Sequence, residues 1–536
     1  MQTRFVVILG SLMSGLGKGI ITSSVLKILD MYHYNVMPVK FDGYLNFDCG
    51  TMNPYRHGEV FVLDDKGEVD MDFGMYERFL NKSLTNDHSI TGGKLFSKVI
   101  SKERRGDFLG EDVQMIPHMT NEIIGQIKGL AKKEKLDVLV IEVGGTVGDI
   151  ENGYFIEAMR QMAITEKVVF INLTYIPKID AVGEQKTKPT QLAMRSIMQL
   201  GIKPNFLICR TSEPLEEKTI SKLAMFSNLA KERIIDDSTY PTIYEAPLHF
   251  IEQHFDKLLL EDLGLGGAKI DEKMLKLWKA RVAKAVSPSK RVNVAIVGKY
   301  THLHDSYASV REALVHAGAE LDTGVNIKWV ESTDIEKEGA EKMLENADGI
   351  IVPGGFGQRG TEGKIMAIRY AREHRVPYLG LCLGMQLMTI EFARNVCGLK
   401  GANSTEFEKN AKYKVIDILP SQIGVKDKGG TMRLGSWKCK ITSRNSIAYD
   451  SYRSSVIYER HRHRYEFNNK YRKLMQDRGL LISGVTPDNK LVEIIEWKGQ
   501  FGVATQAHPE LKSRFEAPAP LFVSFVRASS AEKRSE

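Results

Sequence analysis

Cys382 stands between two glycines in GLCLGMQ (380–386), and far downstream AHPE (507–510) sets a histidine and a carboxylate two residues apart. A thiol becomes a strong nucleophile when a base takes its proton and a carboxylate orients that base. Cys382, His508 and Glu510 are therefore expected to form a relay for acyl transfer. The apolar run VPYLGL reads as a buried strand, and MQLMTIEFARNV after the cysteine repeats apolar residues at helical spacing. Cys382 then falls on a strand-to-helix bend, where Gly380 and Gly384 leave room for a carbonyl to approach the sulfur. The strand QFGVATQ, if extended through Pro509, puts His508 and Glu510 on one side. A developing oxyanion is expected on the N–H of Leu383 and on one from the Gly354–Gly355 turn of IVPGGFGQRG.

A second chemistry is written near the amino terminus. The strand RFVVILG leads into SLMSGLGKGI and then into ITSSVLKILDMY, so backbone N–H groups and a helix start converge on a point suited to an anion. The spacing departs from the usual phosphate-loop pattern: six residues separate Gly10 from Gly17, and Gly19 follows Lys18 where Ser or Thr is usual. Magnesium must then be held elsewhere. Asp72 in EVDMDFG and Glu142, at the end of the buried run LDVLVIE, offer hard oxygens for it. KTKPTQ, Lys186 to Gln191, carries two lysines one residue apart on a proline-stiffened turn and reads as a second anion clamp.

These sites need a frame. A chain of 536 residues exceeds one core and calls for two or three domains. Both halves alternate short β-branched runs with helical patterns, which predicts two α/β domains with mainly parallel sheets. The boundaries are placed at 1–266 for the first domain, 267–290 for a linker containing the amphipathic stretch DEKMLKLWKARVAKAV, and 291–536 for the second. The net charge of +7 is a mild excess that suits polyphosphate ligands, and no arginine-rich tract interleaved with aromatics points to nucleic acid. The five cysteines have no metal-ligand spacing and fit a reducing compartment. The apolar start runs into a glycine-lysine loop and not a cleavage site, and no segment is long enough to cross a bilayer, so a cytoplasmic protein without a membrane partner is expected. The tail ASSAEKRSE is expected to lack structure.

From about 292 to 527 the GLCLG elbow, the late HPE, GGFG, NSTEF and RHRHRYE together resemble class I glutamine amidotransferases. That resemblance implies a flavodoxin-like domain that hydrolyses glutamine, with Gly355, Leu383, Gly384, Met385, Gln386, Glu406, Arg464 and Tyr465 holding the substrate. In the other half, FDGYLNFDCGTMNPYRHGEVFV, KERRGDFLGEDVQMIPHMTNEI, EVGGTVGDIE and GEQKTKPTQ follow one another in an order that resembles the CTP synthase family, so the similarity spans nearly the whole chain. It implies a P-loop-like, dethiobiotin-synthetase-like amidoligase domain. There ATP phosphorylates UTP, and ammonia from glutamine displaces the phosphate to give CTP.

By matching positions, Gly15, Leu16, Gly17, Lys18, Gly19, Ile20 and Asp72 would contact ATP. Ser14, Lys186, Thr187, Lys188, Pro189, Thr190, Gln191 and Lys222 would contact UTP, and Asp149, Ile150 and Glu151 the inhibitory product CTP. Lys18 and Lys40 are the expected cations for phosphoryl transfer, with magnesium on Asp72 and Glu142. The family also implies GTP as an allosteric activator, through a lid at 430–440 with Arg359, and a homotetramer. The alternatives are another phosphate-loop synthetase fused to a glutaminase, and a nucleotide-binding scaffold without catalysis.

Overall fold

The computed structural model describes residues 2–53, 57–179, 183–299, 301–425 and 429–531. The chain forms two compact units, Met1–Asp48 with Met75–Val282, and Cys49–Gly74 with Ala283–Glu536.

The first unit is built on seven strands: β1 (Arg4–Gly10), β2 (Val36–Asp42), β3 (Ser89–Thr91), β4 (Val138–Val143), β5 (Val168–Tyr175), β6 (Phe206–Arg210) and β7 (Ile234–Asp237). They pair in parallel in the order β7-β6-β5-β1-β4-β2-β3. Every residue of β4 is buried, as its unbroken apolar run VLVIEV requires of a strand covered on both faces. Register puts Glu142 of β4 opposite Ile8 of β1 and Lys40 of β2, so a carboxylate and an ammonium share the carboxyl end of the sheet. Helix α1 (Lys18–Met31) follows β1 directly and buries Ile21, Val25, Ile28 and Leu29, the spacing of a core-facing stripe.

The stretch expected as a linker forms the helix Glu272–Val286. It buries Leu275, Trp278 and Val282, and the Trp278 indole donates to the Tyr244 carbonyl at 2.9 Å while its ring lies 5.7 Å from that of Phe79. Most of this helix is thus docked on the first unit, because one indole buries enough area to hold it there.

The main sheet of the second unit has nine strands: β8 (Lys290–Gly298), β9 (Thr323–Glu331), β10 (Gly349–Val352), β11 (Tyr378–Leu381), β12 (Arg433–Ile441), β13 (Val456–His463), β14 (Leu480–Val485), β15 (Val492–Trp497) and β16 (Gly502–Thr505). Their order is β9-β8-β10-β11-β16-β15-β14-β12-β13. The first five are parallel and the last four extend the sheet antiparallel. Apolar clusters cover both faces.

Residues 49–74 belong to this unit although they precede most of the first unit in sequence. Polar contacts fix them there: Arg460 Nε donates to Asp64 Oδ1 at 2.8 Å, Arg462 Nε to Glu68 Oε1 at 2.9 Å, and the Ser309 N–H to Glu59 Oε1 at 2.9 Å. At the other end of the chain a helix runs from Pro520 to Ser529, so Ala528 and Ser529 of the expected disordered tail are helical. Residues 532–536 of that tail lie outside the described residues. Among the described residues no helix is long and apolar enough to cross a membrane.

Candidate active sites

Cys382 sits between β11 and helix α2 (Leu383–Asn395), with φ 50° and ψ −98°. This is a strained setting for a non-glycine residue, of the kind concentrated at functional positions. Its N–H bonds the Thr505 carbonyl of the adjacent β16 at 2.8 Å, which fixes the bend to the strand that leads to the histidine. The flanking glycines are there for space. A Cβ on Gly384 would stand 2.1 Å from the Val352 carbonyl oxygen, and one on Gly380 would lie 2.8 Å from the Ala504 Cβ. Leu383 heads α2, where the first N–H groups have no partner within the helix.

The extended continuation expected through Pro509 does not occur. The strand ends at Thr505 and Pro509–Lys512 is a 3-10 turn. That turn brings Glu510 back to the histidine, because proline at its first position is already set for a helical φ. His508 Nδ1 and Glu510 Oε1 lie 2.7 Å apart. A Cβ on Gly354 would be 2.7 Å from His508 Cε1 and 3.7 Å from Cys382 Cβ, so this glycine admits the imidazole beside the thiol. Burial pushes His508 down, but the Glu510 carboxylate and the Cys382 thiolate outweigh it and hold the imidazole raised, at about 10. The arrangement therefore favours the protonated imidazole of His508.

Cys382, His508, Glu510, Gly354 and Gly355 open on a cavity of about 600 Å³, with Arg462, Arg464, Thr51 and Val60 on its walls. Of the residues expected to hold glutamine, Gly355 and Arg464 line this cavity, and the Arg464 guanidinium donates to Thr431 Oγ1 at 3.0 Å. Leu383, Gly384, Met385 and Gln386 form the first turn of α2. The Gln386 amide donates to the Tyr465 carbonyl at 3.0 Å and so ties that turn to Tyr465. Glu406 accepts from the Gly357 N–H at 2.7 Å, and burial raises its carboxyl. Lys299 Nζ donates to the Phe356 carbonyl at 2.9 Å and is brought down to about 8, chiefly by burial.

In the first unit Leu16, Gly17, Lys18, Gly19 and Ile20 make the end of the loop and the start of α1, with Gly15 and Gly17 at φ 77° and 98°. Those angles fold the loop back over the sheet, and only glycine adopts them without strain. Ser14 and Gly15 are exposed on it. Lys18 crosses the end of β1, where its Nζ would lie 2.9 Å from a Cβ on Gly10, and it donates to the Gly145 carbonyl at 2.5 Å. Lys40 is buried, with Nζ 3.8 Å from Asp42 Oδ1.

Glu142 is buried, and its Oε2 accepts from Thr22 at 2.7 Å and from Tyr76 at 2.6 Å. Both bonds fall on one oxygen, which leaves the other open to a hard cation and fits the donor set magnesium takes. Asp72, in the second unit, opens the helix Asp72–Leu80 and is partly exposed. Among the described residues no group of three or more His, Cys, Asp or Glu side chains gathers as a metal cluster.

Asp149 closes its own turn, accepting from the Thr146 N–H at 2.6 Å and the Thr146 hydroxyl at 2.9 Å, while Ile150 beside it is 92% exposed and Glu151 lies in the short turn that follows. Lys186 Nζ pairs with Glu184 at 2.6 Å. Thr187 immediately precedes the helix Lys188–Gln199, which begins with Lys188 and Pro189. Thr187 accepts from the Gln191 amide at 2.9 Å, and Thr190 meets Thr174 of β5 at 3.0 Å. Lys222 is exposed on the helix Glu217–Ser227 and acts electrostatically on Glu184.

Comparison with known proteins follows this division. The profile described as CTP synthase N-terminus matches residues 4–265, and that of the class-I glutamine amidotransferases matches 302–528. A CTP synthase of Caldanaerobacter subterraneus is 49% identical over 98% of this chain and 98% of its own. Those of Methanocaldococcus jannaschii and Pyrococcus abyssi are each 48% identical, over 99% and 100% of this chain and 99% of their own. Among solved structures, the acivicin-bound glutaminase domain of Trypanosoma brucei CTPS is 39% identical, covering 44% of this chain and 93% of its own at a TM-score of 0.42. The fold and the thiol site define a two-domain α/β ligase with a class I glutamine amidotransferase domain. The chain belongs to the CTP synthase family.

Several neighbours of these sites escape motif reading. Gln506 Nε2 lies 3.5 Å from Cys382 Sγ, and its own amide oxygen is 3.4 Å from Gln386 Nε2. Its signal was its place two residues before His508. Thr22 and Tyr76, which orient Glu142, had none, because their contacts cross 120 and 66 residues of sequence.

Proposed function

We propose that the chain converts UTP to CTP, using ATP and nitrogen taken from glutamine at Cys382. The observation that carries this reading is the thiol on its strained bend, with the His508–Glu510 pair beside it and the cavity in front.

The Cys382 thiolate adds to the side-chain amide carbon of glutamine. The oxyanion that forms is met by the N–H of Leu383 and by one from the Gly354–Gly355 turn. His508, held protonated by Glu510, gives its proton to the leaving nitrogen, so ammonia departs and a thioester remains. Water, deprotonated by the same imidazole, then attacks the thioester, releases glutamate and restores the thiolate beside a protonated His508. At the other site O4 of UTP attacks the γ-phosphorus of ATP, releasing ADP. Ammonia adds at C4, phosphate leaves with the C4–O4 bond and a proton is lost to give CTP. Phosphorylation is required because an oxo group leaves poorly from the ring, and keeping ammonia from water keeps it unprotonated.

Lys18 and Lys40 neutralise the transferring phosphoryl group. Glu142 would hold magnesium, which would supply charge neutralisation at the phosphates. Gly15 to Ile20 cradle ATP, and Ser14, the segment Lys186 to Gln191 and Lys222 hold UTP. CTP as feedback inhibitor at Asp149 to Glu151, GTP as activator through 430–440 and Arg359, a homotetramer and a cytoplasmic site belong to the same reading.

The test is CTP formation from UTP, ATP and magnesium with either glutamine or ammonia. CTP is expected with both. No CTP from either donor would overturn the reading in favour of a scaffold without catalysis.

A further inference from the structure

Lys364 is fully buried, and its Nζ has no hydrogen-bond partner among the described residues. A buried amine without a partner costs free energy, so its retention calls for a reason. It also stands in the first turn of the helix Thr361–Glu373, the end where a cation is least favoured by the helix dipole. The helix is seated hard. A Cβ on Gly363 would stand 1.8 Å from the Ser332 carbonyl oxygen, which fixes where Lys364 begins.

The amine ends against Gly355, 3.9 Å from the point a Cβ there would occupy, with the Leu383 side chain 3.6 Å from the same point. Lys299, at the end of β8, bonds the Phe356 and Gly357 carbonyls of the same turn. Glu331 at the end of β9 and Cys382 act electrostatically on Lys364, while Glu336 takes the neighbouring Gly363 N–H at 3.0 Å. Burial and Lys299 bring Lys364 down to about 7, with Glu331 and the Cys382 thiolate opposing.

We infer that Lys364 is a positioning residue of the glutamine-hydrolysing site: as an ammonium beneath Gly355 it favours negative charge on the Cys382 sulfur and on the acyl oxygen received by the turn above it. This rests on the reading of Cys382 as the nucleophile. Its charge changes in the neutral range, so the site is tuned by pH through a residue that never touches substrate.

The test is the pH profile of Cys382 alkylation by iodoacetamide in the full chain, read by mass spectrometry of the Cys382 peptide, beside kcat and KM for glutamine hydrolysis. Lys364→Met is expected to move the thiolate titration up by about one pH unit, with about tenfold less thiolate below it, and to lower kcat with KM little changed. Lys364→Arg, which keeps the charge, restores part of the profile. An unchanged profile and kcat in Lys364→Met, with a cooperative melt no lower than the parent's, overturns the inference. Should Lys364→Met not fold, Lys364→Gln is read by the same two measurements, and an unshifted profile there overturns it equally. Glutamine hydrolysis surviving in Cys382→Ala would instead sink the reading beneath it, whatever Lys364 does.

Discussion

The thiol site of the second unit is held by contacts among its own groups, while the cations of the first unit rest on backbone and side-chain oxygens around them. His508 is already bonded to Glu510 beside Cys382. Lys18 instead donates to the Gly145 carbonyl, and Lys186 pairs with Glu184. The difference follows from what each must do. Covalent catalysis depends on a nucleophile, acid and orienting carboxylate being fixed within a few tenths of an ångström, and desolvation strengthens each contact. Polyphosphate binding needs positive charge, and a carbonyl or a carboxylate beside each ammonium offsets part of its desolvation. One region stores geometry and the other stores charge.

The largest effect that could break this contrast is expected at the sulfur. Cys382→Ala should lower glutamine-dependent CTP formation by about 10⁴-fold or more, because no other group can form the thioester. Synthesis from ammonia should persist, as the phosphoryl site does not use the thiol. Loss with both donors, measured by CTP release under saturating UTP and ATP, would mean that the two regions do not separate as described.

The same contrast governs what could be read from sequence. Cys382, Gly380, Gly384 and the HPE segment were legible because a strand-to-helix bend around a nucleophile needs small residues at fixed offsets. The phosphate loop was legible because glycine at positive φ and a lysine at a helix start have a local grammar. The alternation of apolar strands and helices likewise announced two α/β layers. Other features depend on partners far along the chain and leave no local mark. The excursion 49–74 joins the second unit through Asp64, 396 residues from its partner Arg460, and nothing in its composition sets it apart. The four antiparallel strands that extend the second sheet were not foreseen either, since short buried strands of either sense read alike. Lys364 was invisible for the same reason: nothing local in TEGKIMAIRY marks its lysine, and only packing buries it.

A smaller but broader effect sharpens the charge-storing side. Lys18→Met removes the ammonium that lies over Gly10 and should reduce CTP formation by about 10³-fold with glutamine and with ammonia alike, since electrostatic stabilisation of the transferring group is shared by both routes. Glutamine hydrolysis in the absence of nucleotides should be unaffected. If the Lys18→Met protein keeps synthesis from ammonia, as followed by CTP absorbance, the ammonium plays no part in phosphoryl transfer and the comparison loses its first-unit half.

The smallest effect tests whether the geometry of the thiol site is also electrostatic. Glu510→Gln preserves the shape of the carboxylate but not its charge, and general acid–base contributions of this kind amount to about 10²-fold or more in kcat. The pH dependence carries the sharper information. In the folded protein His508 is raised from 6.5 to about 10, burial lowering it and Glu510 raising it most among the charges. A group whose folded pKa lies above its unfolded value adds stability in full below the unfolded pKa and loses it as pH rises through the folded one. The margin His508 gains from Glu510 should therefore be greatest below pH 6.5 and fade as pH approaches about 10. In Glu510→Gln burial dominates, so the alkaline limb of glutamine hydrolysis should move to lower pH and the parent's excess in melting temperature should shrink across that window. An alkaline limb that stays where it was in the Glu510→Gln protein would show that the imidazolium does not depend on this carboxylate, and the second unit would then store shape alone.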